Sequence, residues 1–118
     1  MRYDAGVSAA KRVFSYEEAR NLIPAVRKRT KEALSALART TGGESDDAEE
    51  SREHLEREAA EILGAWARDI EALGIEVKGP WLVDFDSGGG YFCWKWPEES
   101  LDYFHGYEEG FCGRVRIQ

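Results

Sequence analysis

A chain of 118 residues has the length of one ordinary domain, and with 42% apolar residues it can bury a core of its own. The 33% charged residues and net charge of −7 argue against a dedicated nucleic-acid binder, which must offer Lys and Arg to phosphates. No apolar run approaches the ~20 residues of a membrane-spanning helix. The opening Met1-Arg-Tyr-Asp-Ala-Gly lacks the apolar stretch of a signal peptide, so a cytoplasmic protein without a membrane partner is expected. Cys93 and Cys112 are too few for a disulfide framework or an all-thiolate zinc site, and both are expected as free thiols.

Residues 1–13 show no period and read as a tail preceding a single domain over 14–118. The first helix starts at Ser15, where Ser15-Tyr-Glu-Glu18 has the form of a capping box. Phe14 stands just before the cap, placed to pack on the first turn. Leu22, Ile23, Val26, Ala33, Leu34 and Leu37 follow at near-helical spacing. Pro24 lies inside this pattern and predicts a kink, or a division of the helix into a short and a long piece. Thr40-Thr-Gly-Gly-Glu-Ser45 is a loop. A second helix is expected from about Asp46 to Leu73, with the stripe Leu55, Ala59, Ile62, Trp66, Ile70 and Leu73, and Gly74 as its left-handed terminator. The two helices differ in sign. Arg20 to Arg39 holds six bases against Glu32 alone, and Glu44 to Glu61 holds nine acids against Arg52 and Arg57. Complementary surfaces in a hairpin or dimer account for this; an anion-binding face made by Arg20, Arg27 and Lys31 is the alternative.

After Gly74 the period changes to two. Ile75 and Val77 suggest a short strand broken at Gly79-Pro80. Trp81 to Phe85 and Tyr91 to Trp96 read as strands joined by the turn Asp86-Ser-Gly-Gly-Gly90. Leu101 to His105 is a short strand or helical turn, and Arg114 to Ile117 a closing strand. The fold class is therefore α+β: residues 14–74 form an antiparallel helical hairpin, packed on a small antiparallel sheet made by residues 75–118.

Register decides which side chains meet on the central hairpin. Pairing Asp86 with Tyr91 sets Asp84 opposite Cys93. It gathers Trp81, Val83, Phe85, Phe92, Trp94 and Trp96 on one face, suited to pack on the helices. Leu82, Asp84, Tyr91, Cys93 and Lys95 fall on the other. A slip by one residue would mix Asp84 with the aromatic set. The second face brings together an acid and a thiol, with Glu98 and His105 close in the chain and Arg114 beyond them. Cysteine, histidine and carboxylate are ligand types of a divalent metal such as zinc, which makes Asp84, Cys93 and His105 the candidate ligands. Each also has an ordinary role. A buried Cys93 is a small hydrophobe, an Asp84 near a turn caps local amides, His105 bonds a carbonyl, and Arg114 pairs with Glu108 or Glu109. No CxxC, HExxH or phosphate loop is present.

The same residues carry a resemblance. Phe14-Ser-Tyr-Glu-Glu-Ala-Arg-Asn-Leu-Ile-Pro24-Ala-Val resembles the opening of a bacterial family known as domain of unknown function twenty-two-zero-three. Val83-Asp84-Phe85, Cys93-Trp94, Phe104-His105 and Gly110-Phe111-Cys112-Gly113-Arg114 resemble the segments with which that family ends, so the likeness covers roughly residues 14–118. The chain has Pro97-Glu98 where that family often has Gly-Glu, and Phe-His where it has Trp-His. The resemblance implies an uncharacterised bacterial protein and names no chemistry.

The expected function is a binding or interaction module with a polar cluster at Asp84, Cys93, Glu98, His105 and Arg114, forming a homodimer through its helices. The alternative is a metal-dependent enzyme of hydrolase type using Asp84, Cys93 and His105. A thiol redox role for Cys93 and Cys112 is a third reading.

Overall fold

The computed structural model describes residues 12–40 and 48–118. Helix α1 spans Tyr16–Arg39 and helix α2 spans Ala48–Glu71, and the two pack as an antiparallel pair. A five-stranded antiparallel sheet follows in sequential order: β1 (Glu76–Gly79), β2 (Leu82–Asp86), β3 (Tyr91–Lys95), β4 (Tyr103–His105) and β5 (Val115–Arg116). A single 3-10 turn, Phe111–Gly113, precedes β5. Among the described residues no helix is long and apolar enough to cross a membrane.

The capping box holds α1 at its start. The Ser15 hydroxyl accepts from the Glu18 amide at 3.0 Å, and Glu18 Oε1 accepts from the Ser15 amide at 2.9 Å. Phe14 does more than pack on the first turn. Its amide donates to the Asp86 carbonyl at 2.7 Å, and its ring meets Phe85 edge-on at 5.3 Å. The chain thus staples the helix entrance to the end of β2. Helix α1 runs unbroken through Pro24, so the expected division into two pieces does not occur. The ring removes the donor that would bond the Arg20 carbonyl, but Pro24 and Arg20 both lie on the exposed side, where an unbonded carbonyl costs least. The expected start of α2 at Asp46 lies outside the described residues. Gly74 ends the helical turn with φ +87, and a Cβ there would stand 2.7 Å from Arg12 Cβ.

The core forms where the hairpin meets one face of the sheet. Ile23 and Val26 of α1 and Trp66 and Ile70 of α2 close over Val83, Phe85 and Trp94, and Phe92, Trp81 and Trp96 pack against this cluster. This is the aromatic face required by the register, and the observed pairs Asp84 with Cys93 and Asp86 with Tyr91 match it. Trp81 departs in one respect. It sits in the turn before β2 rather than in the strand, with φ +61, a region that costs a bulky residue about 1 kcal/mol. Its edge contact with Trp66, ring centroids 4.8 Å apart, holds it there.

Arg27 does not contribute to an anion-binding face. Its guanidinium donates to the carbonyls of Pro97 and Glu98, at 3.1 and 2.6 Å, and lies over the Trp96 ring. The i, i+7, i+11 grouping with Arg20 and Lys31 is broken because the β3–β4 connection claims the middle member.

Candidate metal centre

Strand pairing builds the site on the sheet face turned away from the core. Glu76, Asp84, Cys93, Tyr103 and Arg116 are successive cross-strand neighbours, and Asp86, Tyr91 and His105 form the adjacent row. His105 therefore stands diagonal to the Asp84–Cys93 pair, within side-chain reach. The ligand atoms of Asp84, Cys93 and His105 lie within 4.8 Å of one another, and all three residues are buried. The three candidate ligands expected from the sequence are brought together.

The hydrogen bonds restrict the protonation of the pair at the centre. His105 Nδ1 faces the Gly106 carbonyl at 2.8 Å, and Nε2 faces Asp84 Oδ2 at 2.9 Å. A carbonyl oxygen can only accept, so Nδ1 carries a hydrogen. In a neutral ring Nε2 is then a bare lone pair pointing at a carboxylate oxygen. Two acceptors at that separation need something between them: a proton on either group, or a cation. The other carboxylate oxygen, Asp84 Oδ1, is buried without a hydrogen-bond partner. Burial raises the Asp84 carboxyl above the usual carboxylate range, partly offset by His105 and by the neighbouring Cys93 thiol. Burial pushes the Cys93 thiol up to about 12, and the Asp84 charge pushes the same way, while Arg114 opposes both.

Glu98 and Arg114 act beside the cluster rather than in it. Arg114 pairs with both carboxylate oxygens of Glu98, not with Glu108 or Glu109, and the Nη1–Oε1 distance is 3.2 Å. Its guanidinium is held between the rings of Tyr103 and Phe111, at 3.9 and 4.1 Å. From there Nη1 reaches to 3.9 Å from Cys93 Sγ. Glu98 also accepts from the Lys95 amide at 2.9 Å, so it ties Arg114 to the end of β3. The capping role considered for Asp84 belongs to Asp86, whose Oδ1 accepts from the Gly88 amide at 2.9 Å. Both cysteines are free; Cys93 is buried and Cys112 exposed.

A cavity of ≈ 200 Å³ opens on the cluster, with Lys78, Leu82, Tyr91, Tyr107, Glu109 and Phe111 among its walls. Tyr107 leans on Tyr91 edge-on, and its hydroxyl donates to Asp86 Oδ1 at 2.6 Å, which draws the segment after β4 across the cavity. Of these walls, the register placed Leu82 and Tyr91 on the site face. Lys78 stands two residues after Glu76, which pairs with Asp84, so alternation puts it on the site face once β1 is paired with β2; Tyr107, Glu109 and Phe111 lie outside the strands, where no period assigns a face. No curated protein and no solved structure matches the chain. A family model does, over residues 12–117, and it covers the hairpin, the sheet and every residue of the cluster: the chain belongs to the uncharacterized conserved protein family DUF2203.

Proposed function

We propose that this protein is a metal-binding module in which Asp84, Cys93 and His105 hold one divalent ion of the zinc type. The observation that carries the reading is the convergence of three different metal-ligating side chains, all buried, with their ligand atoms within 4.8 Å. The second contact of His105 supports it. A ring whose Nδ1–H is anchored on a backbone carbonyl presents Nε2 as the ligand, the usual arrangement for metal-bound histidine. The orphaned Asp84 Oδ1 gives the site an unused acceptor. Donors at zinc distances stand about 3.4 Å apart when tetrahedral, so the 2.9 Å contact between His105 and Asp84 would widen by about half an ångström.

Three protein ligands leave a fourth position, and the cavity lies beside it. Such a position takes water or a small ligand and characterises catalytic rather than purely structural zinc sites. This favours the hydrolase-type reading over a closed structural site, with substrates small enough for ≈ 200 Å³.

The test is cobalt substitution. Protein purified without chelator and then loaded with cobalt is expected to bind one equivalent and to show a thiolate-to-cobalt charge-transfer band. Cys93→Ser should abolish that band, while Cys112→Ser should retain it. The absence of stoichiometric binding, or a band that survives Cys93→Ser, would overturn the assignment.

A further inference from the structure

The hairpin has one face that the sheet does not cover. Burial in α1 ends at Thr30, and in α2 it is confined to Trp66 and Ile70. On the open side Ala33, Ala36, Ile62 and Ala65 floor a groove of ≈ 260 Å³ between the helices. These are mostly small side chains, which let another helix approach closely. The helices themselves are oppositely charged. Six Lys and Arg stand against three Glu in α1, and eight acids against three Arg in α2. Arg29 and Asp69 both line the groove and pair across the hairpin at 3.2 Å, and Glu32 lines it beside them, while Lys28 and Lys31 belong to another side of α1.

We propose that this open face is a homodimer interface in which the basic α1 of each copy lies on the acidic α2 of the other. Symmetry makes the choice specific. A two-fold axis running along the helices stacks α1 on the partner's α2, antiparallel, and satisfies the opposite charges twice. An axis across the helices would stack α1 on α1, like charge on like. The size is adequate. Two 24-residue helices side by side present a face about 36 Å long and about 20 Å wide, roughly 700 Å², close to the ~800 Å² per partner of a stable interface. The dimer does not depend on the metal centre, which lies on the far face of the sheet.

Sedimentation velocity of the full chain, from low to high micromolar concentration, tests this together with two charge-reversed variants. The parent should dimerise. Arg29→Glu should weaken the dimer by at least about tenfold, and so should Asp69→Lys, since the two-fold sets residue 29 of each copy at the level of residue 69 of the other and either change juxtaposes like charges there. Mixing the two variants should restore dimers as mixed pairs, which also shows that each variant is folded. A parent that is monomeric throughout would overturn the proposal. So would a dimer that neither reversal weakens, or reversed variants that fail to recombine.

Discussion

Asp84 Oδ2 stands 2.9 Å from His105 Nε2, while the other nitrogen of the same ring is committed to the Gly106 carbonyl. The position between the two groups therefore belongs to a proton in the metal-free protein, and the proposed metal reading puts an ion there in the loaded one. Replacing Asp84 with Asn gives Nε2 an amide donor and removes the buried charge. The metal-free variant should keep its stability within about 1 kcal/mol, and cobalt affinity should fall at least about tenfold. Asp84→Ala leaves Nε2 without a partner and should cost about 1–3 kcal/mol. Urea melts and cobalt titrations run side by side would separate these outcomes, and an Asn variant that binds cobalt like the parent would count against the carboxylate as a ligand.

The raised Cys93 thiol has a consequence at alkaline pH. Its pKa in the fold is pushed up to about 12. In the unfolded chain a thiol titrates near about 8.5. The unfolded form loses its proton first, so the stabilising contribution is complete below about pH 8.5 and is lost as pH climbs towards the folded value. Between about pH 8 and about pH 10, the metal-free parent should lose about 1–2 kcal/mol more than Cys93→Ala does over the same interval. Denaturant melts of both proteins at the two pH values would show it; parallel losses would mean that the thiol is not held protonated.

Thr30 and Trp66 form the one fully buried side-chain link described between the two helices. The indole Nε1 donates to the Thr30 hydroxyl at 2.9 Å, and that hydroxyl donates to the Val26 carbonyl at 2.7 Å. Thr30→Val keeps the shape and strands the indole donor, an expected loss of about 1–3 kcal/mol. Trp66→Ala removes the whole side chain and should cost about 3–5 kcal/mol. Urea midpoints at constant m value would check both. If Thr30→Val melts like the parent, the indole finds another acceptor.

Gly90 closes the β2–β3 turn where another strand passes close by. A Cβ there would collide with the Phe104 ring and approach the His105 carbonyl to 2.9 Å. Gly90→Ala should therefore destabilise the protein by more than about 1 kcal/mol. It should also weaken cobalt binding, because relief of the clash moves the strand that carries His105. Gly89→Ala is the control, since nothing lies within 4 Å of a Cβ at that position. Equal effects from the two variants would place the cost in turn flexibility instead.

Much of the fold is local and hence readable from the chain. The capping box at Ser15 and Glu18, the stripe through Trp66 and Ile70, and the terminator at Gly74 each act within a few residues of themselves. The register of the central hairpin is nearly local too. Two residues facing across a turn, combined with the rule that aromatic side chains share the buried face, are enough to pair Asp84 with Cys93.

Tertiary structure alone decided the rest, because it depends on groups far apart in the chain. The direction of His105 depends on β4 pairing with β3, and its tautomer on the Gly106 carbonyl. Arg114 had several acidic neighbours to choose from, and it took Glu98 because Tyr103 and Phe111 fix the plane of its guanidinium. Pro24 disrupts a helix by rule, yet here the helix continues with Pro24 on its exposed side, where the lost internal bond costs least. The sequence by itself determined which residues are apolar, which are charged and what period they repeat with, and these set the elements and the buried faces. Which polar groups meet inside the fold was left to packing, because a side chain's partner is chosen by distance in space and several candidates of the same charge are chemically equivalent until the chain has closed around one of them.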